Sequence, residues 1–199
     1  MKIKNVLIVI SSPRKGANST ILAHRAADGA RDTGAEVELI DLSKIDIKPC
    51  DGCDACRGKS SKVCIIKDDM QALYPKVREA EVMVIASPVY WFTFSAQTKL
   101  FMDRWYGLSS LVDEPFEGIP FRDKRVGVIL TGGGRDPFDS GGINAIRTFQ
   151  DAFRYLESPP IKVIYGSASK AGEIKGNEDI MGQAYLMGKT LVEMQLKGG

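Results

Sequence analysis

Five short apolar runs recur along this 199-residue chain, and they constrain its fold more than any other feature of the sequence. Four of them are almost continuously apolar and rich in β-branched residues: residues 6–10, 82–86, 126–130 and 161–165. The fifth run, residues 37–42, alternates apolar and polar side chains. Continuous apolar runs are typical of parallel strands that helices cover on both faces, whereas an alternating run suits a strand nearer the sheet edge.

Segments with helical spacing separate these runs, and a residue type that favours a helix start precedes each segment: Asn18, Asp68 and Asp69, Ser95, Ser140, and Asn177. Five strands alternating with five helices predict an α/β fold, a three-layer sandwich around a five-stranded parallel sheet. Five strands fit the flavodoxin-like order 2-1-3-4-5 better than the six-stranded dinucleotide-binding order. We expect a single domain over residues 1–199, with a cysteine-rich loop at residues 48–67.

The charge balance and the apolar pattern exclude two classes of partner. The 27 lysines and arginines nearly match the 25 aspartates and glutamates, so no nucleic acid is expected as a partner. No apolar run approaches the roughly 20 residues of a membrane span, so no membrane is expected either. The apolar start of the chain continues into Arg14 and Lys15 without a small-residue cleavage site, which favours a cytoplasmic protein over a secreted one.

The loop after the first strand, SSPRKGANST at residues 11–20, is dense in hydroxyl groups and leads directly into a predicted helix. Hydroxyls, backbone N–H groups and the helix dipole favour a dianionic phosphate, and Arg14 adds a full positive charge. The loop matches neither G-x-G-x-x-G nor G-x-x-x-x-G-K-[ST]. Taken alone, it is equally compatible with an ordinary polar loop between a strand and a helix.

Two further loops follow strands that lie beside the first one in this strand order. The loop from Ser87 carries the consecutive aromatic residues Tyr90, Trp91 and Phe92, which suit stacking on a flat conjugated ring. One of them, Phe92 or Trp91, is expected to fill a core or an oligomer interface. The loop from Thr131 (TGGGRDPFDSGG) contains glycines that let the main chain approach a ligand. A phosphate loop, an aromatic turn and a glycine loop around one crevice describe a site for flavin mononucleotide, FMN.

The stretches SSPRKGANST, CIIKDDM and SPVYWFTFSAQTKLFMDR resemble the flavodoxin-fold NAD(P)H-dependent FMN reductase superfamily. With its clustered cysteines, the chain is similar to the iron–sulfur flavoprotein branch, most strongly over residues 2–104 and weakly after residue 142. The resemblance implies contacts to the FMN phosphate from Ser11, Pro13, Arg14, Asn18, Ser19 and Thr20. It implies contacts to the flavin ring from Pro88, Val89, Tyr90 and Trp91, with Thr131, Gly132 and Gly133 nearby.

All four cysteines of the chain lie close together in sequence. Cys50, Cys53 and Cys56 follow a C-x2-C-x2-C spacing, and Cys64 comes after seven further residues. In a reducing compartment such a cluster favours metal ligands or redox groups over structural disulfides. Four closely spaced thiolates suit a [4Fe–4S] cluster. A zinc ion held by four thiolates, or a set of thiols without a metal, remains an alternative.

The sequence therefore predicts an FMN-dependent oxidoreductase in which a [4Fe–4S] cluster passes electrons to or from FMN. Quinone, oxygen or peroxide is the expected acceptor, NAD(P)H or ferredoxin is the candidate donor, and the resemblance implies a homodimer or homotetramer. The alternatives are a cluster-free NAD(P)H-dependent FMN or quinone reductase and a non-catalytic flavodoxin-like electron carrier. No catalytic side chain is assigned. Asp103 and Arg104 are expected to pair locally or to steady the aromatic turn, and Arg135 is a candidate for the phosphate of a nicotinamide cofactor.

Overall fold

The computed structural model describes residues 4–57, 64–108 and 121–194, and within these residues five parallel strands form a sheet. The strands are β1 (Asn5–Ile10), β2 (Glu36–Asp41), β3 (Val82–Tyr90), β5 (Arg125–Gly132) and β6 (Lys162–Ser167). They lie in the order β2-β1-β3-β5-β6, and a two-residue strand, β4 (Thr93–Phe94), pairs antiparallel with the end of β3. The predicted fold class and strand order are confirmed, with β4 as an addition.

Burial explains the apolar patterns of the strands. All eight residues of β5 and the first seven of β3 are buried, because neighbouring strands flank them and helices cover both faces. In β2 only Ile40 is buried, and this strand lies at one edge of the sheet, as its alternating pattern predicts. Parallel pairing brings the carboxyl ends of β1, β3, β5 and β6 to the same edge of the sheet.

Two helical layers complete the sandwich. Helices α1 (Asn18–Arg31) and α5 (Glu178–Glu193) pack on one face of the sheet. Helices α2 (Met70–Glu79), α3 (Ala96–Asp103) and α4 (Gly142–Tyr155) pack on the other face. Each face of the sheet therefore carries its own apolar core. None of the helices in the part of the chain that the structure describes is long and apolar enough to cross a membrane.

The predicted helix starts are correct at Ser95 and Asn177, wrong at Asn18, and one residue early at Ser140, since Gly141 is the N-cap of α4. Ser95 and Asn177 each cap a helix, because their side chains accept hydrogen bonds from Thr98 N and Ile180 N. Asn18 does not cap α1: it is the first helical residue, and the N-cap is Ala17. The capping preference of asparagine acts on the residues next to it in sequence. The side-chain amide of Asn18 instead forms hydrogen bonds to Lys170 and Ile174, which are distant in sequence.

Candidate functional site

A crevice with a volume of about 240 Å³ lies at the carboxyl ends of β1, β3 and β5. Nine of the residues predicted to contact FMN line it: Arg14, Asn18, Ser19, Pro88, Val89, Tyr90, Thr131, Gly132 and Gly133. The other predicted contacts do not line it: Ser11, Pro13, Thr20 and Trp91. Four lining residues were not predicted: Ser12, Ala17, Ala168 and Ser169. Ala168 and Ser169 follow β6, and the parallel topology that brings β6 to this edge is the feature that could have revealed them.

The N-terminus of α1 forms one wall of the crevice. Its N-cap, Ala17, has no side chain to accept a hydrogen bond from the first turn, and no acidic residue lies in that turn. The Ser19 hydroxyl is buried and has no hydrogen-bond partner among the described residues. Free N–H groups at a helix N-terminus attract anions, because the helix dipole adds partial positive charge there. This wall therefore fits the phosphate group of FMN.

Asn18 and Arg14 connect this wall to the loop after β6. The Asn18 amide donates a hydrogen bond to Lys170 O at 2.9 Å and accepts one from Ile174 N at 3.3 Å. The Arg14 guanidinium donates to Ser169 O at 3.0 Å. Since these bonds span more than 150 residues of sequence, they fix the loop after β6 as a second wall of the crevice.

Ser11 lies directly below the crevice in a buried cluster of hydroxyl groups. Its hydroxyl donates to Ala86 O at 3.1 Å and accepts from Ser95 Oγ at 3.0 Å and Thr98 Oγ1 at 2.8 Å. These bonds tie the ends of β1 and β3 to the N-terminus of α3. The Ser11 hydroxyl therefore forms its hydrogen bonds within the protein, where it holds the loops of the crevice together.

The aromatic turn stands at the rim of the crevice in an unusual backbone conformation. Trp91 and Phe92 connect β3 to β4 with φ angles of +46° and +65°. In a two-residue hairpin loop, positions with positive φ angles are normally occupied by residues such as Asn-Gly. Asn144 supports the turn by donating a hydrogen bond to Phe92 O at 3.2 Å. Tyr90, Trp91 and Phe92 are 42%, 90% and 59% exposed, so none of them fills the core of the chain, and a place for Phe92 or Trp91 in an oligomer interface stays a prediction.

The glycine loop closes the crevice from the side of β5. A Cβ atom at Gly133 would lie 2.9 Å from Ser169 Oγ, so a side chain here would require the Ser169 hydroxyl to move. The Tyr165 hydroxyl donates to Gly134 O at 2.9 Å and holds the loop in place. Arg135 is exposed and pairs with Asp139 at 3.7 Å. Gly132 and Gly133 are thus the glycines of this loop that line the crevice.

A second cavity, of about 410 Å³, is lined by all four cysteines of the chain. The thiols are free; Cys50 and Cys53 are exposed, and Cys56 and Cys64 are half-buried. Burial, followed by the neighbouring thiols of Cys64, Cys50 and Cys53, raises the pKa of Cys56. Part of the predicted loop, residues 58–63, lies outside the described residues. Among those that are described, no three His, Cys, Asp or Glu side chains are arranged to hold a single metal ion.

Two adjacent aspartates hold the base of the cysteine loop together. The Asp69 carboxylate accepts a hydrogen bond from Asp46 N at 2.7 Å, and Asp69 N donates to Asp46 O at 3.0 Å. The Asp68 carboxylate accepts from Lys48 N at 2.9 Å. These hydrogen bonds hold the start of the cysteine loop, residues 46–48, against its end, residues 68–69. The two carboxylates therefore do more than complement the dipole of α2.

Arg104 lies beneath the cysteine cavity with its side chain only 1% exposed. It forms an ion pair with Asp68, donates to Lys48 O at 2.8 Å and donates to Cys64 Sγ at 3.4 Å. The expectation that Arg104 pairs locally or steadies the aromatic turn is wrong, because its partner Asp68 comes from the base of the cysteine loop. Asp103 does pair locally, with Lys99 on the surface of α3.

Helix α3 connects the two candidate sites. Its N-cap, Ser95, belongs to the hydroxyl cluster below the crevice, and Arg104 directly after its last residue lines the cysteine cavity. Eight helical residues span about 12 Å at 1.5 Å per residue. The crevice and the cysteine cavity therefore lie at opposite ends of one short helix.

The comparisons with known proteins agree with this arrangement. The family described as NADPH-dependent FMN reductase matches residues 4–173. An iron–sulfur flavoprotein of Methanocaldococcus jannaschii is 32% identical over 144 residues, covering 72% of this chain and 70% of that protein. An iron–sulfur flavoprotein of Methanosarcina thermophila is 36% identical over 96 residues, covering 48% of this chain and 49% of that protein.

A solved structure extends the likeness in fold to almost the whole chain. The NAD(P)H:quinone oxidoreductase of Methanothermobacter marburgensis superposes with a TM-score of 0.75 over 98% of this chain and 100% of that chain. Its sequence is only 15% identical, so this likeness shows the fold alone. The family match and the 32% sequence identity to the Methanocaldococcus jannaschii protein show the family as well as the fold. The chain belongs to the NADPH-dependent FMN reductase family, in its iron–sulfur flavoprotein branch, and is an FMN-dependent oxidoreductase.

Proposed function

We propose that this oxidoreductase holds FMN in the crevice and a [4Fe–4S] cluster in the cysteine cavity, and that it carries electrons between a donor and a small acceptor. When bound, FMN supplies one- or two-electron chemistry, and the cluster supplies one-electron transfer. The observation that carries the proposal is the convergence of Cys50, Cys53, Cys56 and Cys64 on one cavity at the far end of α3 from the crevice.

The size of the cysteine cavity favours a cluster over zinc. A zinc ion requires all four sulfurs at about 2.3 Å from one point. Here the four thiols line a cavity of about 410 Å³, which has room for a group larger than one ion. The N–H groups around this space matter as well, since hydrogen bonds to the sulfurs help to set the reduction potential of a cluster. Arg104 is such a donor.

The crevice residues divide into a phosphate-binding group and a ring-binding group. The hydroxyls of Ser12 and Ser19, the first turn of α1 and the Arg14 guanidinium would hold the phosphate. The end of β3 and the main chain of Gly132 and Gly133 would border the flavin ring, because they form the opposite wall. Ser11 would act through the hydroxyl cluster that fixes these loops.

The exposed aromatic turn indicates which electron acceptor and which oligomeric state to expect. Tyr90, Trp91 and Phe92 present flat apolar surface at the rim of the crevice, which suits a planar acceptor such as a quinone beside the flavin ring. Oxygen and peroxide are smaller acceptors that the open rim also admits. Exposed apolar patches are often buried between subunits, so a homodimer or homotetramer is part of the proposal. NAD(P)H or reduced ferredoxin is the proposed donor.

Anaerobic purification followed by a visible spectrum and iron and sulfide analysis tests the proposal. We expect one FMN and roughly four irons per chain, as a [4Fe–4S] cluster requires. The Cys56→Ser variant should keep FMN and lose iron, whereas Ser43→Ala, on the surface away from both cavities, should keep both. Flavin without iron in the wild type would contradict the cluster and leave a cluster-free NAD(P)H-dependent reductase.

The identity of the donor is tested with the same preparation. Steady NAD(P)H consumption in the presence of a quinone is expected if nicotinamide is the donor. Rapid electron exchange with reduced ferredoxin, followed by quinone reduction, would identify ferredoxin instead. Exchange with ferredoxin but no turnover of any small acceptor would indicate an electron carrier and contradict the proposed oxidoreductase cycle.

A further inference from the structure

Cys64 differs from the other three cysteines because a buried guanidinium group contacts its sulfur. Arg104 Nη2 donates to Cys64 Sγ at 3.4 Å and to Asp68 Oδ1 at 3.2 Å. Arg104 Nη1 donates to Lys48 O at 2.8 Å and to Asp68 Oδ2. The guanidinium is therefore held from two sides, and one of its N–H groups is directed at the thiol.

The main chain around Cys64 is equally well fixed. Gln71 Nε2 donates to Cys64 O at 2.8 Å and to Ile66 O at 2.7 Å, which holds this end of the cysteine loop on α2. A Cβ atom at Gly107 would lie 3.1 Å from Cys64 Cβ and 2.9 Å from Tyr74 Oη, so this position favours glycine. In contrast, Cys50 and Cys53 are exposed. Cys64 is thus more constrained than Cys50 and Cys53.

We propose that Arg104, held in place by Asp68, is a positioning residue for the fourth thiolate and raises the reduction potential of a cluster bound there. This inference rests on the proposed function. Reduction adds one electron and no atoms, so it makes the site more negative. A fixed N–H donor with positive charge beside one ligand stabilises the more negative state, and ligand hydrogen bonds of this kind set cluster potentials.

The test compares Arg104→Gln with the wild type after anaerobic purification. Glutamine keeps N–H donors but removes the charge and the forked geometry. We expect the equilibrium constant for cluster reduction to fall at least tenfold, which corresponds to a midpoint about 59 mV lower for one electron. Spectroelectrochemical titration gives the midpoint, and iron analysis gives the cluster content. Arg147→Gln on α4, which removes an exposed arginine charge, is the matched control.

Two further variants keep the test decisive if Arg104→Gln does not fold because Asp68 is left buried and unpaired. The double variant Asp68→Asn with Arg104→Gln removes both charges together, and Arg104→Lys keeps the positive charge. We expect the double variant to lower the midpoint less than Arg104→Gln does, because it loses the guanidinium donor to Cys64 but no net charge. The lysine variant should lie between the double variant and the wild type. FMN binding and circular dichroism report whether each variant is folded.

The outcomes separate this inference from the proposed function. A wild type with FMN but no iron overturns the cluster proposal and, with it, this role of Arg104. If the wild type contains iron and the folded Arg104 variants have the same midpoint and iron content, the inference about Arg104 is overturned and the proposed function stands. A lowered midpoint in Arg104→Gln or the double variant, with FMN retained and Arg147→Gln unchanged, supports it. Iron loss in these variants with FMN retained supports only the positioning of the fourth thiolate.

Discussion

Arg104 and Asp68 form a fully buried ion pair between positions 36 residues apart, at the end of α3 and the start of α2. Both carboxylate oxygens of Asp68 accept hydrogen bonds from the guanidinium group. The pair joins the helix that leads from the crevice to the loop that carries the cysteines. Removal of one partner would leave the other buried without compensation, which generally destabilises a protein by about 3–5 kcal/mol.

The first prediction is that Asp68→Asn lowers the free energy of unfolding at pH 7 by roughly 3 kcal/mol, because Arg104 loses its counterion. Urea denaturation of the apoprotein measures this change. Asp103→Asn is the control, since the exposed pair between Asp103 and Lys99 should contribute less than about 1 kcal/mol. Equal losses in the two variants would contradict a special role for the buried pair.

The same carboxylate predicts a pH dependence. Burial opposes ionisation of Asp68, but hydrogen bonds from Arg104 and Lys48 outweigh it and hold the pKa below the ordinary value of 3.8. The folded state therefore binds this proton less tightly than the unfolded state, and the stabilisation is lost as the pH falls through the folded-state pKa. Below about pH 4, the wild type should lose stability more steeply than Asp68→Asn. Parallel curves would contradict the assignment.

The second prediction concerns Lys124, whose side chain is 3% exposed and donates a hydrogen bond to Ala80 O. Burial lowers its pKa from 10.5 to about 8. The unfolded state therefore binds this proton more tightly, and stability should rise with pH between about 8 and 10.5. Below that window Lys124 destabilises the fold by roughly 3 kcal/mol, because each pKa unit corresponds to about 1.4 kcal/mol.

Lys124→Met should therefore stabilise the protein at pH 7 by about 2 kcal/mol, since Ala80 O loses a hydrogen bond that contributes about 1 kcal/mol. The gain should shrink as the pH rises to 10. Urea denaturation at pH 7, 8.5 and 10 measures it, and the exposed Lys175→Met is the control. A destabilised Lys124→Met variant at pH 7 would show that the lysine is well accommodated in its charged form.

Local patterns in the sequence predicted the parts of the fold that depend on neighbouring residues. The strands were found because burial on both faces produces continuous apolar runs, as in β5. Ser95 and Asn177 were identified as caps because a cap acts within three residues of its own position. Asn18 has the same preference, but its amide bonds to residues about 150 positions away, and such a contact leaves no periodic signal.

The set of loops that form the crevice was also predicted from the sequence. Loops after parallel strands converge on one edge, so Arg14, Tyr90 and Gly132 were expected around one crevice, and all three line it; their contact with FMN stays a prediction. Ser169 was missed because the sequence resemblance weakens after residue 142. The pairing of Arg104 with Asp68 was missed because opposite charges are common along the chain, and only the fold selects which of them meet.

The third prediction separates binding from stability at Ser19. Its hydroxyl is buried without a hydrogen-bond partner among the described residues and lines the proposed phosphate site. Ser19→Ala should weaken FMN binding about tenfold, since a hydrogen bond to a charged group contributes about 1.5–3 kcal/mol. The apoprotein should not lose stability, because an unsatisfied buried group is removed. Fluorescence titration and urea denaturation give the two measurements.

Ser11→Ala is the contrasting variant. It should destabilise the apoprotein by about 1–3 kcal/mol, because Thr98 loses the acceptor of its buried hydroxyl and Ser95 keeps only the longer bond to the main-chain oxygen of residue 11, at 3.3 Å. Any loss of FMN affinity should follow from displaced loops rather than from a lost contact. If Ser19→Ala destabilises the apoprotein as much as Ser11→Ala and leaves FMN affinity unchanged, the phosphate group does not lie against α1.

The fourth prediction is that Trp91→Asn stabilises the apoprotein while it impairs reduction of quinones. Trp91 has a φ angle of +46° and is 90% exposed, so its backbone is strained and its side chain contributes little packing. Asparagine adopts this conformation readily, whereas other residues incur about 1–2 kcal/mol there. We therefore expect a gain of about 1 kcal/mol in the free energy of unfolding.

Turnover with a quinone should fall because the flat apolar surface at the rim of the crevice is removed, while FMN affinity should change less than in Ser19→Ala. Tyr155→Asn is the control, since Tyr155 is also an exposed aromatic residue, 75% exposed, but lacks a positive φ angle. It should neither stabilise the protein nor affect turnover. A Trp91→Asn variant that gains stability and keeps full quinone turnover would show that the strain at this turn serves something other than the acceptor, such as the contact between subunits.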